Sequence, residues 1–343
     1  MSFSRRRTLS LAASAALAAC QRKLTTHANA GPMDIKRLDA DFPALADRAR
    51  PAAFAMGVMN LATTATWYWN IDRAFPLAGT AALPIAVAAM AQVEARKLAL
   101  NEPVAFTALD LSPPPSLIGH DWPTPPQGRT ATIPAQGLLT LALSEGDNTA
   151  MDVLMKRVGG PGAVSAFLQL KGVTGLRIDR YQREIGVEMF GMPTFRAAWK
   201  DPAAFAAARD QVAAPTRQSA MDQLVLDPRD SSTVPAALGF LGLLAAGQLV
   251  SPASLGRLIF WMADAPPGRL AAGMPPGVRL ARACGETPED LGFTAATAEL
   301  AIATFPGNRR YALAAFLVGS TATDAARRAL FADAARLAAA AIG

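Results

Sequence analysis

The sequence predicts an α/β (α+β) fold, in which an antiparallel sheet flanked by helices carries an inserted all-helical lobe. Short strand-like runs occur near the two ends of the chain, at 54–61 and 65–70 and again at 294–305 and 310–320. The stretch between them is rich in alanine and has apolar residues at helical spacing. Because 51% of the 343 residues are hydrophobic and 17% are charged, the chain can bury a sizeable core.

The first 20 residues have the pattern of a bacterial export signal. Arg5, Arg6 and Arg7 give a basic start of the twin-arginine type, and the apolar stretch 12–19 is too short to span a bilayer as an ordinary helix. This stretch ends in a Leu-Ala-Ala-Cys sequence that is similar to a lipobox, so we predict that the thiol of Cys20 takes a lipid. The protein is then expected on the periplasmic side of the cell envelope, held at a membrane by its lipid anchor.

Two alternatives to lipidation remain open from the residues alone, namely a plain amino-terminal extension or cleavage after Ala30. In either case the polar stretch 21–32 is predicted to be a tether, and the folded domain is expected to span 33–343. No later segment contains 18 apolar residues without a charge or a helix breaker, so the sequence predicts no transmembrane helix.

The composition argues against nucleic acid and metal ions as partners. The formal charge is +6, from 33 basic and 27 acidic residues, and the basic residues outside the export signal are scattered rather than clustered as a nucleic-acid surface requires. The chain has two histidines and two cysteines, and no cluster of these residues has the spacing of metal ligands. We expect no cofactor and a monomeric protein.

The remaining elements are predicted in chain order from apolar spacing and turn residues. A helix over 34–50 precedes the first strand pair, and a tight turn at 75–84 opens a buried helix. Six prolines within 111–127 predict irregular structure there. Further helices are predicted at 134–144, 151–158, 162–171, 202–211, 235–246, 251–263 and 323–342, and a further strand at 274–285.

Six segments resemble, in order, those of the penicillin-recognising serine hydrolases, and of class A β-lactamases especially. These segments are 75–104, 145–150, 159–161, 177–182, 227–235 and 274–285. The resemblance covers about residues 33–343 and rests on the ordered series of flanking residues. It implies a β-lactamase-like fold with an α/β lobe from 33–78 and 228–343, a helical lobe from 79–227, and a ligand cleft between the lobes.

Inside these segments, the residues that carry the chemistry of the family are replaced by small or uncharged residues. The replaced positions are Gly79, Ala82, Gly146, Gln182, Gly186 and Ala283. The resemblance places Gly79 at the serine nucleophile, and Ala82 at the lysine that lies one helical turn later and serves the nucleophile. It places Gly146 at the serine that shuttles a proton to the leaving nitrogen.

The other replacements remove groups that handle a water molecule or a charge. The resemblance places Gln182 at the glutamate that activates the deacylating water, and a glutamine is not a general base near neutral pH. Gly186 stands at the asparagine that helps to hold this water, and Ala283 at the lysine that draws a substrate carboxylate. Glu184 and Glu188 lie close in sequence, but a tight loop fixes the direction of their side chains, so we do not expect them to substitute.

A few residues are predicted to remain as ligand contacts in the cleft. Asn148 matches the asparagine whose amide contacts the substrate in the family, and Cys284 and Gly285 lie on the strand that borders the cleft. Trp122 is the predicted aromatic contact from the proline-rich loop, with His120 as a second candidate. The alternative for this loop is that its aromatic ring packs within the loop itself.

Residues 187–226 exceed the pattern of the family by a few tens of residues. We interpret them as an insertion, which either forms a lid over the pocket or packs on the helical lobe as decoration. The sequence leaves this choice open.

Together these observations predict a non-catalytic envelope lipoprotein whose cleft binds a partner or a small-molecule or peptidoglycan-like ligand. Loss of the nucleophile alone removes roughly six orders of magnitude of rate in a serine hydrolase, and the lysine that would activate Cys284 is absent. Two alternatives stay open. The first is a hydrolase of β-lactams or related amides and esters that uses non-standard residues, and the second is a structural component of envelope assembly.

Overall fold

The computed structural model describes residues 33–118 and 128–343. The predicted export signal with Cys20, the tether, and the aromatic residues His120 and Trp122 lie outside the described residues. The helices are α1 Ile35–Asp47, α2 Ala82–Glu94, α3 Ala135–Thr140, α4 Asn148–Arg157, α5 Pro161–Leu170, α6 Gln182–Glu188, α7 Pro202–Asp210, α8 Ala214–Leu226, α9 Val234–Ala245, α10 Pro252–Asp264 and α11 Asp324–Ile342. The strands are β1 Ala53–Asn60, β2 Thr66–Trp69, β3 Phe75–Pro76, β4 Pro103–Thr107, β5 Thr130–Pro134, β6 Ser231–Ser232, β7 Arg279–Glu286, β8 Thr294–Phe305 and β9 Arg309–Ser320.

A five-stranded antiparallel sheet, in the order β2-β1-β9-β8-β7, is the framework of the described residues. Its strands come from both ends of the chain, which confirms the predicted antiparallel sheet. Side chains alternate between its faces, so one apolar core forms against α1 and α11 and a second forms against α9 and the helical lobe. The strand β7 is at one edge of the sheet and borders the helical lobe.

The helical lobe contains two features that the sequence analysis did not predict. Strands β4 and β5 form a separate hairpin, in which Val104 and Phe106 are buried while the side chains between them are exposed. After α3 the chain continues through one wider, π-type helical turn, Leu141–Glu145, and stops at Gly146, whose φ is +68°. The predicted helix at 134–144 therefore ends in a wider turn, and Gly146 and Asp147 connect this turn to α4.

The inserted segment, 187–226, is flanked on its two sides by the partners of one buried ion pair, Arg180 and Asp230. The Nε of Arg180 donates to Oδ2 of Asp230 at 2.7 Å, and both side chains are buried. Between these residues, α6, α7 and α8 enclose a small apolar core of their own, which packs on β8. The buried members of this core are Val187, Met189, Phe190, Met192, Phe205, Met221, Leu224 and Ala295.

The two ends of the folded domain lie next to each other. The backbone N–H of Asp34 donates to the carbonyl oxygen of Ala341 at 2.8 Å, and Arg309 donates from Nη1 to the carbonyl oxygen of Ile342 at 3.3 Å. Helices α1 and α11 pack together on one face of the sheet. Within 33–118 and 128–343, we find no helix with the length and apolarity needed to cross a bilayer.

Candidate functional site

A cleft of about 310 Å³ lies where the helical lobe, the inserted segment and the edge strand β7 meet. Four short stretches bring the predicted site residues to it: the turn before α2, the loop before α4, the first turns of α6, and the end of β7. The predicted residues that line it are Gly79, Gly146, Asn148, Gln182, Gly186, Cys284 and Gly285. The structure therefore collects residues that are more than 200 positions apart in the chain.

A smaller cavity of about 210 Å³ continues behind the cleft. The two spaces share Gly79, Gly146 and Cys284 in their linings, and the inner one adds Ala82 and Ala283. The six positions thus border two spaces that share part of their lining, and the predicted aromatic contacts Trp122 and His120 lie outside the described residues.

The main chains of the turn before α2 and of β7 touch each other at Gly79 and Gly285. A Cβ built on Gly285 falls 2.6 Å from Cα and 2.7 Å from N of Gly79, closer than real Cβ contacts allow. A Cβ built on Gly79 falls 3.0 Å from the carbonyl oxygen of Cys284 and 3.0 Å from Cα of Gly285. A side chain that started at Gly79 would therefore be crowded by the backbone of β7, which would have to shift by a few tenths of an ångström.

A second replaced position is closed by a proline ring. A Cβ built on Gly186, in α6, falls 2.6 Å from Cγ of Pro113. Because the five-membered ring is stiff, it has little freedom to move aside. An asparagine at this position has no room in the present arrangement of α6.

The position of Gly146 is open by contrast. No atom lies within 4 Å of a Cβ built there, and its φ of +68° is in the left-handed region that favours glycine. The next residue, Asp147, is buried and accepts hydrogen bonds from the backbone N–H groups of Leu117, Ile118 and Ala150. Burial raises the pKa of Asp147, while these hydrogen bonds oppose the rise.

Asp152 holds the start of α6 in place and is wholly buried. Its carboxylate accepts from the backbone N–H of Gln182 at 2.6 Å, from the backbone N–H of Arg183 at 2.9 Å, and from Oγ of Ser112 at 2.6 Å. Burial raises the pKa of Asp152 to about 7. Sequence analysis missed this residue, although it lies four positions after Asn148 and so on the same face of α4.

Ser144, Thr80 and Cys284 do not form a nucleophile–base pair with any described residue. Oγ of Ser144 donates to the carbonyl oxygen of Trp261 at 3.0 Å, and Oγ1 of Thr80 donates to the carbonyl oxygen of Leu77 at 2.6 Å. Burial, together with the nearby Glu299 carboxylate, raises the pKa of Cys284, which keeps its thiol protonated.

The two glutamates near Gln182 in sequence are engaged elsewhere and do not line the cleft. Glu184 accepts from the backbone N–H of Tyr181 at 2.8 Å, and Glu188 pairs with Arg180 and with Arg229. The expectation that neither substitutes for the missing base agrees with this geometry.

Two arginines also border the cleft, and no sequence signal pointed to them. The guanidinium of Arg269 is buried and pairs through Nη2 with Glu286 at 2.7 Å and with Asp324 at 3.1 Å. Arg328 pairs through Nε with Asp324 at 2.7 Å, and this carboxylate raises the pKa of Arg328. The charges on this side of the cleft are therefore paired with each other.

The inserted segment supplies an apolar wall of the cleft. Its lining residues are Met189, Phe190 and Phe205, and Ile185 of α6 lines the cleft beside them. The rings of Phe190 and Phe205 meet edge to face, with their centroids 6.0 Å apart. The sequence analysis predicted either a lid or decoration, and these contacts leave that choice open while placing part of the insertion in the lining of the cleft.

A larger groove of about 750 Å³ lies elsewhere, between α9 and the β1–β2 turn. None of the predicted site residues lines it, and its lining includes no charged side chain. We therefore place the candidate site at the cleft and not at this groove.

Comparison with known proteins gives a consistent result. The model of the beta-lactamase enzyme family matches residues 37–342. Beta-lactamase VEB-1 of Pseudomonas aeruginosa is 23% identical over 293 residues, which are 84% of this chain and 85% of that protein. The extended-spectrum beta-lactamase PER-1 of the same species is 25% identical over 274 residues, or 78% and 76% of the two chains.

Solved structures of similar fold include a beta-lactamase from Chitinophaga pinensis, with a TM-score of 0.72 and 23% identity over 89% of this chain and 99% of that chain. The class A beta-lactamase of the last common ancestor of Gram-negative bacteria has a TM-score of 0.69 and 26% identity, over 89% of this chain and 99% of that chain.

Proposed function

Because the chain belongs to the beta-lactamase enzyme family, with class A-like structure, we propose that it is a ligand-binding member that lacks the acyl-enzyme chemistry. One observation above all supports this proposal: the backbone of β7 lies against Gly79, where the side chain of a nucleophile would begin. The relatives are named as beta-lactamases. Similarity to them does not by itself assign hydrolysis of β-lactams to this chain.

The chemistry of the cleft supports the same proposal. Acyl transfer requires a hydroxyl or thiol, a base that activates it, and a base that activates water. Glycine and alanine occupy the first two positions and Gln182 occupies the third, and a neutral amide takes up no proton near neutral pH. Loss of the nucleophile alone lowers the rate by roughly six orders of magnitude.

The test is hydrolysis of nitrocefin by the purified full chain, together with intact-mass measurement after incubation with a fluorescent penicillin. We expect turnover at the level of buffer and no covalent adduct. We also expect the double variant Gly79→Ser/Ala82→Lys to stay at this level, because the added Cβ at position 79 lies against β7. Clear turnover or a stable adduct of the unaltered chain contradicts the proposal.

Cys284 is the residue most able to sustain the alternative of a hydrolase with non-standard residues. The raised pKa of its thiol argues against this role. Labelling of the intact protein by iodoacetamide at pH 7 is expected to be slow, and labelling that is fast and lost in Cys284→Ala supports the alternative.

We also propose that the chain is exported and lipid-anchored through Cys20. The basic start, the short apolar stretch and the Leu-Ala-Ala-Cys sequence at 17–20 support this. Detergent-phase partition of the protein expressed in a Gram-negative host tests it. The unaltered chain is expected in the detergent phase, and Cys20→Ala in the aqueous phase; equal partition of the two contradicts the anchor.

A further inference from the structure

We propose that the groove over α9 binds a long-chain fatty-acid anion, with the alkyl chain along the helix and the carboxylate near Lys171. The groove shares no lining residue with the cleft. It is therefore a second site, and its assignment does not depend on the proposed function.

The size and the lining of the groove are the first reason. Its volume of about 750 Å³ is within the range of small-molecule sites and is more than twice that of the cleft. Met59 lines it on the side of the β1–β2 turn, Val173 lines it on the side of the loop 172–175, and Phe240 and Leu243 belong to α9. An alkyl chain bound there removes apolar surface of both partners from water.

The shape of the groove is the second reason. On α9 and its C-cap, the lining includes the small residues Ala236, Gly239, Gly242 and Ala246, which recur at the three- and four-residue spacing of one helix face. The helix rises by about 15 Å from the first of them to the last. The small residues thus form a long track, and a straight alkyl chain such as a dodecanoyl chain matches it.

Gly239 keeps this track open. No atom lies within 4 Å of a Cβ built there, although a glycine inside a helix is unfavourable by about 1 kcal/mol relative to alanine. At Gly242, by contrast, a built Cβ falls 3.0 Å from Sδ of Met59. Packing within the protein therefore accounts for Gly242 but not for Gly239, whereas a chain that lies along α9 accounts for both.

The charge around the groove is the third reason. The segments that form it contain no charged residue, namely 59–64, 172–175 and 233–248. Nζ of Lys171 donates to the carbonyl oxygen of Gln248, a lining residue, at 3.3 Å. The carbonyl oxygen of Arg310 accepts from the backbone N–H of Leu61, another lining residue, at 3.0 Å.

Both cations at the edge of the groove are exposed. Neither Lys171 nor Arg310 forms an ion pair with a carboxylate within 33–118 and 128–343. An apolar groove with a positive edge is complementary to a ligand that joins an alkyl chain to an anionic group.

Calorimetric titration of the full chain with dodecanoate, below the concentration at which it forms micelles, tests the proposal. Octanoate is the short-chain probe, and dodecyltrimethylammonium has the same chain with the opposite charge. Each fully buried methylene strengthens binding by about fourfold, so in an open groove we expect dodecanoate to bind about tenfold or more tightly than octanoate. Equal binding of the two acids, tighter binding of the cation, or no binding of dodecanoate overturns the proposal.

Two variants locate the contacts. Gly239→Leu places a side chain in the open track, and we expect it to weaken dodecanoate by about tenfold, the value of about two buried methylenes. Its control is Gly256→Leu, on the exposed side of α10, where a built Cβ also meets no atom.

Lys171→Gln is expected to weaken dodecanoate by about threefold, as for an exposed ion pair, without weakening dodecyltrimethylammonium. Its control is Arg257→Gln, an exposed cation on α10. Binding of dodecanoate that is unchanged in Gly239→Leu or in Lys171→Gln overturns the proposal, and thermal unfolding shows whether each variant is folded.

The same proteins distinguish two other occupants of the groove. A second copy of the chain would give a dimer in sedimentation velocity that Gly239→Leu dissociates. A membrane surface would give binding to phosphatidylglycerol vesicles that Gly239→Leu abolishes. Either result without binding of dodecanoate overturns the proposal.

Discussion

Two glycines that line the cleft, Gly79 and Gly146, have opposite surroundings. At Gly79 the backbone of β7 lies close to the turn before α2, so that a Cβ built there falls 3.0 Å from the carbonyl oxygen of Cys284. At Gly146 the missing side chain has left empty space, with no atom within 4 Å of a Cβ built there. The contact at Gly79 is part of the packing of two elements of the fold, whereas the open space at Gly146 concerns one residue. A glycine in the sequence therefore does not reveal whether the surrounding structure would admit a side chain at that position.

The largest expected effect is at the closed side. Gly285→Ala places a Cβ 2.6 Å from Cα of Gly79, and backbone cannot move aside as a flexible side chain can. We expect a loss of about 3 kcal/mol in the free energy of unfolding, measured by urea denaturation. The neighbouring Cys284→Ala leaves the backbone contact unchanged and is the control, with an expected loss of about 1 kcal/mol. A Gly285→Ala protein as stable as the unaltered chain contradicts the closed contact.

The next effect concerns Asp152, whose carboxylate accepts hydrogen bonds from the first backbone N–H groups of α6, a helix that lines the cleft. Its pKa is raised by burial from 3.8 to about 7, so the folded state binds a proton more tightly than the unfolded state. The contribution of this group to stability is then fully present below pH 3.8 and is lost as the pH rises through about 7.

The variant Asp152→Asn removes this titration and keeps an acceptor oxygen for one backbone N–H. Between pH 5 and pH 7 the unaltered chain is expected to lose about 2 kcal/mol more stability than the variant. Urea denaturation at each pH measures this difference. Other buried carboxyl groups with raised pKa values, such as Asp147 and Glu299, are present in both proteins and cancel; parallel pH profiles contradict the assignment.

A smaller effect is expected at Gly186. In Gly186→Ala the helix gains an alanine, which favours it by about 1 kcal/mol, but the new Cβ meets the ring of Pro113 at 2.6 Å. We expect a net loss of about 1 kcal/mol. Gly256→Ala in α10 is the matched control, since nothing lies within 4 Å of its Cβ; it is expected to gain stability. Thermal unfolding measures the stability of both variants. An increase in stability in both of them contradicts the contact with Pro113.

The smallest effect is expected at the open side. Gly146→Ala meets no neighbouring atom, and its unfavourable term is the left-handed backbone alone, about 1 kcal/mol. Gly292→Ala, with a φ of +70° and equally open surroundings, is expected to match it within experimental error. A much larger loss at Gly146 in thermal unfolding removes the difference between the two sides of the cleft.

Much of the fold followed from local pattern. The strand at 294–305 is confirmed residue for residue by β8, because eleven of its twelve residues are apolar or β-branched and turn signals stand on both sides. The helix predicted at 251–263 is close to α10, Pro252–Asp264, whose N-cap is Ser251. The β4–β5 hairpin was missed because its two strands are separated by the long proline-rich stretch, so no turn signal joins them.

The sequence analysis named residues that line the cleft, but it did not predict the contacts between them. Resemblance to a family indicated which positions to collect, and those in the described residues do border two spaces that share part of their lining. The backbone contact of Gly79 with Gly285 joins residues 206 positions apart, and the support of α6 by Asp152 depends on a hydrogen-bond geometry that helical spacing alone does not specify. Neither leaves a trace in local sequence.

The hydrogen bond between Asp34 and Ala341 brings the front and the back of the folded domain to a single spot on its surface. A tether attached at either terminus would therefore leave the domain from nearly the same point on its surface. Fusion partners, surface immobilisation or a short peptide that bridges the termini all start from this one spot, and the orientation of the cleft towards its surroundings becomes insensitive to which terminus is chosen.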